Sequence, residues 1–284
     1  MSGEEEERPL EVVKTASEVL GAIIEAAGDN PDTQAAGRQL GKAALTIART
    51  VNVILLPLAA VNFAVDKARH YFQDGSFERD LREKTKDIPP ELVIEPKASL
   101  AGPALQALAF AHEEAPLKEL FLSLIATSMD GRSAAGAHPA FVEIIKQLTA
   151  EEASALRPIL SRSGFFPVIR IEKRFRSERA FEILESHIMA IVDWETHEPA
   201  EYSTREAMME NWARLGLIEL GYDASLASKG SYDWIEDRPE VKRWRAKLQG
   251  DETCEIAVTR GIVARTAIGR LFAIATGIVT KDSD

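Results

Sequence analysis

Arg132 and His138, with five residues between them in RSAAGAH, are the pair whose side-chain types could carry out a reaction. Histidine titrates near neutral pH and can pass a proton, while a guanidinium can stabilise charge that builds on a phosphate. Gly131, Gly136 and Pro139 put the pair in a loop, where His138 has the simpler task of closing the N-terminal junction of a helix that begins at Pro139. The second constellation is Lys242, Arg243, Trp244, Arg245 and Lys247. Cations interleaved with an indole could hold a nucleic-acid backbone while Trp244 stacks on a base. The same run also reads as an exposed helix, PEVKRWRAKL, with Val241, Trp244 and Leu248 packed inward and the cations extending into solvent. That packing role is the simpler expectation.

Other chemistry finds little to stand on. His70, His112, His138, His187 and His197 include no pair at the one-turn spacing that binds metal on a helix, and His197 beside Glu195 and Glu198 forms at most a loop cluster. No metal site and no cofactor is expected. Gly37-Arg-Gln-Leu-Gly41-Lys42 has too few residues between its glycines for a phosphate loop, and alanine stands where a magnesium-binding hydroxyl belongs. Ser161-Arg-Ser-Gly164 reads as a helix end without a nucleophile elbow.

The elements that must position these residues are mostly helical. Residues 1–9 form an acidic tail, and Val12 to Ala27 carries the apolar stripe of an amphipathic helix ended by Gly28-Asp-Asn-Pro31. A longer helical region follows from about Gln34 to Phe72. Within it, Thr50–Val65 is apolar apart from Thr50, Asn52 and Asn62, but Pro57 interrupts it and it falls short of the ~20 residues that span a bilayer. It reads as a kinked core helix, with conditional membrane contact as the alternative. Ile88-Pro89-Pro90 stops the preceding helix and starts a rigid connector to Pro96. Leu117, Leu120, Phe121, Leu124 and Ile125 then mark a buried helix face, Phe141, Ile144, Ile145 and Leu148 mark another, and Thr149-Ala-Glu-Glu152 has the form of a capping box.

Further on, FFPVIR suits a short strand, AFEILESHIMAIV from Ala180 reads as a helix, and Ser203-Thr-Arg-Glu206 offers a second capping box. Ile218, Leu220 and Tyr222 alternate as in a strand, CEIAV and GIVAR can return as two more, and Thr266 to Ile278 closes as a helix. The expected fold is therefore mainly α: an N-terminal and central helical bundle over 10–162, followed by a winged-helix-like α/β module over 163–284. The helix Thr204 to Leu215, which would enter a DNA groove, carries only Arg205 and Arg214 as cations against Glu206 and Glu210, and so suits phosphate poorly.

The blocks IPPELVIEP, LFLSLIATSMD, HPAFVEIIKQLTAEEASAL, ARLGLIEL and RTAIGRLF, in this order and spacing, resemble the Abi-alpha family of bacterial and archaeal proteins over roughly residues 35 to 275. That resemblance implies a part in abortive infection, a defence against phage that arrests or sacrifices the infected cell. It carries over no catalytic residue. The Arg132 to His138 spacing separately resembles the active motif of HEPN ribonucleases, which implies proton transfer by His138 and charge stabilisation by Arg132. Those enzymes place the pair on one helix, and this chain places it in a loop.

Composition narrows the roles. A formal net charge of −11 and a pI near 5.1 oppose non-specific adhesion to nucleic acid or anionic lipid. The single cysteine, Cys254, excludes an intrachain disulfide, and the acidic start MSGEEEERPLE lacks the form of a secretory signal. The expected location is cytoplasmic, with membrane association on activation as a variant. The reading that the resemblance implies is a non-enzymatic phage-defence interaction protein with a protein partner or a phage product as its counterpart and homo-oligomers open to it. The alternatives are a membrane-active effector through 50–65 and a nucleic-acid-directed protein, either a winged-helix binder or a HEPN-like ribonuclease.

Overall fold

The structure is a computed structural model that describes residues 41–47, 50, 64–191, 198–199, 201 and 204–279. The acidic tail, the helix expected at Val12 to Ala27, residues 51–63 of the apolar segment, His197 and the Ser203 cap lie outside the described residues. The chain divides into two compact units, one comprising Met1–Ala155 with Leu271–Asp284 and the other Leu156–Arg270.

The first unit is helical. After a helical stretch at 41–47 come α1 (Ala64–Gln73), α2 (Ser76–Thr85), α3 (Ala98–Ala111), α4 (Ala115–Met129), α5 (Ala140–Ile145) and the start of α6 (Ala150–Leu160). Gly75 takes the left-handed φ of 81° that lets α2 leave α1 in one tight turn, with Ser76 N–H bonded to the Asp74 carboxylate at 2.8 Å. Pro116 sits in the first turn of α4, where its missing N–H costs nothing. Leu100, Leu105, Leu108, Leu120, Phe121, Leu124, Ile125 and Ile145 are all fully or nearly fully buried, as their helical spacing requires. Phe272, from the last helix α9 (Ala267–Ala275), meets Phe141 edge to face at 5.6 Å. The proline-framed connector does more than join helices. Ile94 N–H bonds Met129 C=O and Gly131 N–H bonds Leu92 C=O, both at 2.8 Å, so it pairs with the chain leaving α4.

The second unit corrects the expected fold class. It contains a four-stranded antiparallel sheet in the order β2-β1-β4-β3, so the protein is mixed α/β and not a mainly α bundle with a winged-helix module. β1 (Phe165–Phe175) and β4 (Cys254–Arg265) pair without a break from Phe165↔Ala264 to Phe175↔Cys254. CEIAV and GIVAR are thus one strand, because Thr259 and Arg260 between them pair with Arg170 and Ile169. The segment read as a helix from Ala180 is β2 (Phe181–Met189): its Glu, Leu and Met favour helix locally, but pairing with β1 overrides that preference. β3 (Ile218–Gly221), after α7 (Arg205–Arg214), is a four-residue edge. In place of a wing, a 3-10 turn at Asp233–Asp237 and α8 (Pro239–Lys247) cover the sheet. Tyr232, Ile235 and Val241 pack there with Ile169, Ile171 and Ile188, and Trp234 and Trp244 close the cluster.

Candidate functional site

Arg132 and His138 are each engaged close to home. The Arg132 guanidinium grips the Asp130 carboxylate through Nε at 2.9 Å and Nη2 at 2.7 Å, while its backbone N–H bonds the same carboxylate at 2.9 Å. That fork closes the turn after α4. His138 Nδ1 accepts the Ala140 N–H at 3.1 Å, which satisfies a donor that the first turn of α5 leaves open. The histidine therefore caps the helix, and its ring stands edge-on to Phe141 at 6.1 Å.

The cationic run on α8 is matched by carboxylates. Arg243 donates to Glu185 at 2.6 Å and to Glu201 at 2.7 Å, and Arg245 donates to Glu236 at 3.0 Å. Trp244 donates its indole N–H to Glu185 at 2.6 Å, and Lys247 Nζ lies 4.3 Å from the centre of its ring. With its edge bonded, one face under a cation and its body against the apolar cluster, Trp244 acts as a packing residue. Lys242 is exposed and borders a cleft of about 340 Å³ beside Pro199, Trp234 and Arg238.

Sequence reasoning missed two charged hubs in the sheet unit. On β1, Glu172 is 1% exposed and accepts from Arg170 Nε at 2.6 Å, Arg174 Nη2 at 2.8 Å and Thr259 Oγ1 at 2.7 Å. Burial alone would raise its pKa, but the hydrogen bonds from Thr259, Arg170 and Arg174 outweigh it and hold the carboxyl below its ordinary range. Alternation in a strand puts residues 170, 172 and 174 on one face, so the pattern R-x-E-x-R was the available signal. The other hub is Glu240, also 1% exposed, between Arg238 at 2.7 Å and Arg205 at 3.0 Å. Here too burial pushes the pKa up, and hydrogen bonding with Arg238 brings the net shift down. No sequence spacing announces this hub, since Arg205 lies on a separate helix.

Beside Glu172, His187 and Tyr222 stack with ring centres 6.0 Å apart, and the Tyr222 hydroxyl lies 3.0 Å from both the backbone nitrogen and Nδ1 of His187. His187 has a left-handed φ of 58°. Burial lowers its pKa, against the pull of Glu206 and Glu210, and burial pushes Tyr222 up to about 12. The Arg170 guanidinium lies over the Tyr222 ring at 4.7 Å. At Gly261 a Cβ would fall 2.4 Å from Gly221 O and 2.6 Å from Tyr222 Cδ1, so glycine is required for this ring to lie against β4. The arrangement locks one neutral imidazole and one protonated phenol onto the sheet.

Among the described residues no group of three or more His, Cys, Asp or Glu is placed to hold a metal ion, and no helix is long and apolar enough to cross a membrane. The family model for abortive infection alpha matches residues 69–276. No curated protein and no solved structure matches the chain.

Proposed function

We propose a role in phage defence from one premise: this chain belongs to the abortive infection alpha family. The match, which spans most of both units, is the observation that carries the proposal. In this reading the protein works by contact with a protein partner or a phage product and performs no reaction of its own. The site geometry supports contact over catalysis. Arg132 and His138 are spent on a turn and a cap, and Arg243 and Arg245 are neutralised by Glu185, Glu201 and Glu236. Arginines already paired within the fold gain little from releasing counterions of a nucleic acid.

The test is plaque formation by a panel of diverse phages on bacteria expressing the full chain, scored with survival of the infected cells against empty vector. Fewer plaques with early arrest or death of infected cells is the expected result. Unchanged plaquing by every phage, with the protein present and folded, would remove the defence role. Loss of protection in an Arg132→Ala, His138→Ala variant with intact folding, together with RNA cleavage by the wild type, would favour the ribonuclease alternative instead.

A further inference from the structure

We propose that the outer edge of β2 is a docking strand for an extended partner segment in which apolar and basic residues alternate. This deepens the contact role proposed above and rests on it. In the order β2-β1-β4-β3, β2 is an edge of the sheet. Phe175 N–H donates to Ala180 C=O at 3.2 Å, which makes that position a bonded pair. From it the register runs Arg174↔Phe181, Lys173↔Glu182, Glu172↔Ile183. Antiparallel ladders alternate bonded and non-bonded pairs. Ala180 and Glu182 therefore turn their backbone groups toward β1, while Phe181 and Ile183 turn theirs outward, away from the sheet.

Those same two residues expose their side chains, Phe181 by 51% and Ile183 by 48%. Proteins ordinarily protect an edge with covering elements or blunting charges, and an edge that offers both backbone groups and apolar side chains is the template that strand addition uses. The only charge between them is Glu182, which is exposed and enters no ion pair among the described residues. Its sign selects the occupant. A second copy pairing through the outward groups of Phe181 and Ile183 would set Phe181 against Ile183 and bring the two Glu182 side chains directly opposite each other, a destabilising match in a chain of net charge −11. The N-terminal MSGEEEERPLE carries the same sign. A foreign strand with apolar residues over Phe181 and Ile183 and a lysine or arginine facing Glu182 meets all three features at once.

The test is titration of the full ¹⁵N-labelled chain with an alternating valine–lysine decapeptide, followed at the backbone amides, with an alternating valine–glutamate decapeptide in parallel. Saturable shifts centred on Phe181 to Ile183, given by the lysine peptide alone, are expected. Ile183→Pro should abolish them, since proline removes the outward N–H and leaves the bonds to β1 intact. Glu182→Lys, which leaves the backbone untouched, should invert the preference between the two peptides by roughly five-fold in Kd. The proposal is overturned if these amides do not move, if both peptides bind alike, or if the same amides shift with protein concentration alone, which would mark a second copy as the occupant. Plaque counts with Ile183→Pro separate the two readings: protection by the wild type that persists in this variant ends the docking proposal and spares the defence role.

Discussion

In the helical unit the deeply buried side chains are Leu105, Leu124, Ile145, Phe121 and their like, whereas in the sheet unit Glu172, Arg238 and Glu240 are buried just as deeply. A helix satisfies its backbone internally and needs only an apolar stripe to join a core. The sheet unit instead holds charges, Glu172 on β1 and Arg238 and Glu240 at the start of α8, whose burial is tolerable only while each partner stays in place. The helical core should therefore fail in proportion to the volume removed, and the sheet unit should fail when one charge is stranded.

The largest effect follows from stranding two. Glu240→Ala would leave Arg238 and Arg205 buried without their carboxylate, lowering the stability of the sheet unit by about 3–5 kcal/mol. All four tryptophans, 194, 212, 234 and 244, fall within Leu156–Arg270, so urea unfolding followed by their fluorescence reads this unit. Replacing the whole hub, with Arg205→Met, Arg238→Met and Glu240→Leu together, should recover most of the loss. An unmoved midpoint in Glu240→Ala would show that water reaches these charges and would dissolve the contrast between the units.

Next comes the helical core. Leu124→Ala removes a fully buried side chain from α4 and should destabilise by about 3 kcal/mol through lost burial and the cavity left behind. Far-UV circular dichroism should report the loss, and the tryptophan transition should stay close to wild type. A shift of the tryptophan transition by the same amount would mean that the units unfold together.

How much could be read in advance follows the same division. The apolar faces of α4 and α5, the stop at Pro89 and the capping box at Thr149 are local patterns, and the structure shows Leu120, Leu124, Phe141 and Ile145 buried where the spacing puts them. β2 reads as a helix because FEILESHIM has helix-forming residues, and only its distant partner β1 makes it a strand. The unbroken run of β4 is hidden for the same reason, as Thr259 and Arg260 separate two apolar stretches until β1 pairs with them. On α8, Val241 and Trp244 stand one helical turn apart and both pack in the apolar cluster of the sheet unit. The acidic partners of α8, Glu185, Glu201 and Glu236, come from other segments and leave no trace in local spacing.

Acid should sharpen the contrast with a smaller, graded effect. Glu172 and Glu240 have folded pKa values below their ordinary 4.5, so the stability they contribute is complete above that value and is lost as pH falls through the folded ones. His187 is likewise depressed from 6.5, because burial disfavours its charged form. The unfolded chain therefore binds a proton before the folded one does, and stability begins to fall below about pH 6.5. The tryptophan midpoint should decline in two stages, the first beginning near pH 6.5 and the second below 4.5. His187→Asn keeps a residue that accepts the left-handed backbone and should erase the first stage alone. A first stage that survives this substitution would locate the titrating group elsewhere.

The smallest effect is expected where the helical unit uses a polar pair of its own. The Glu152 carboxylate accepts the Thr149 N–H at 2.8 Å, and Thr149 Oγ1 accepts the Glu152 N–H at 3.1 Å. These bonds satisfy two donors at the start of α6. Thr149 is exposed, so water can take over when its hydroxyl is removed, and Thr149→Ala should lower stability by only about 1 kcal/mol in the far-UV transition. Thr149→Ser should restore it, since the cap needs a short hydroxyl and not a methyl group. A loss in Thr149→Ala that matched Glu240→Ala would make this pair as dependent on its partner as the buried hub, and polar interactions would then be as decisive in the helical unit as in the sheet.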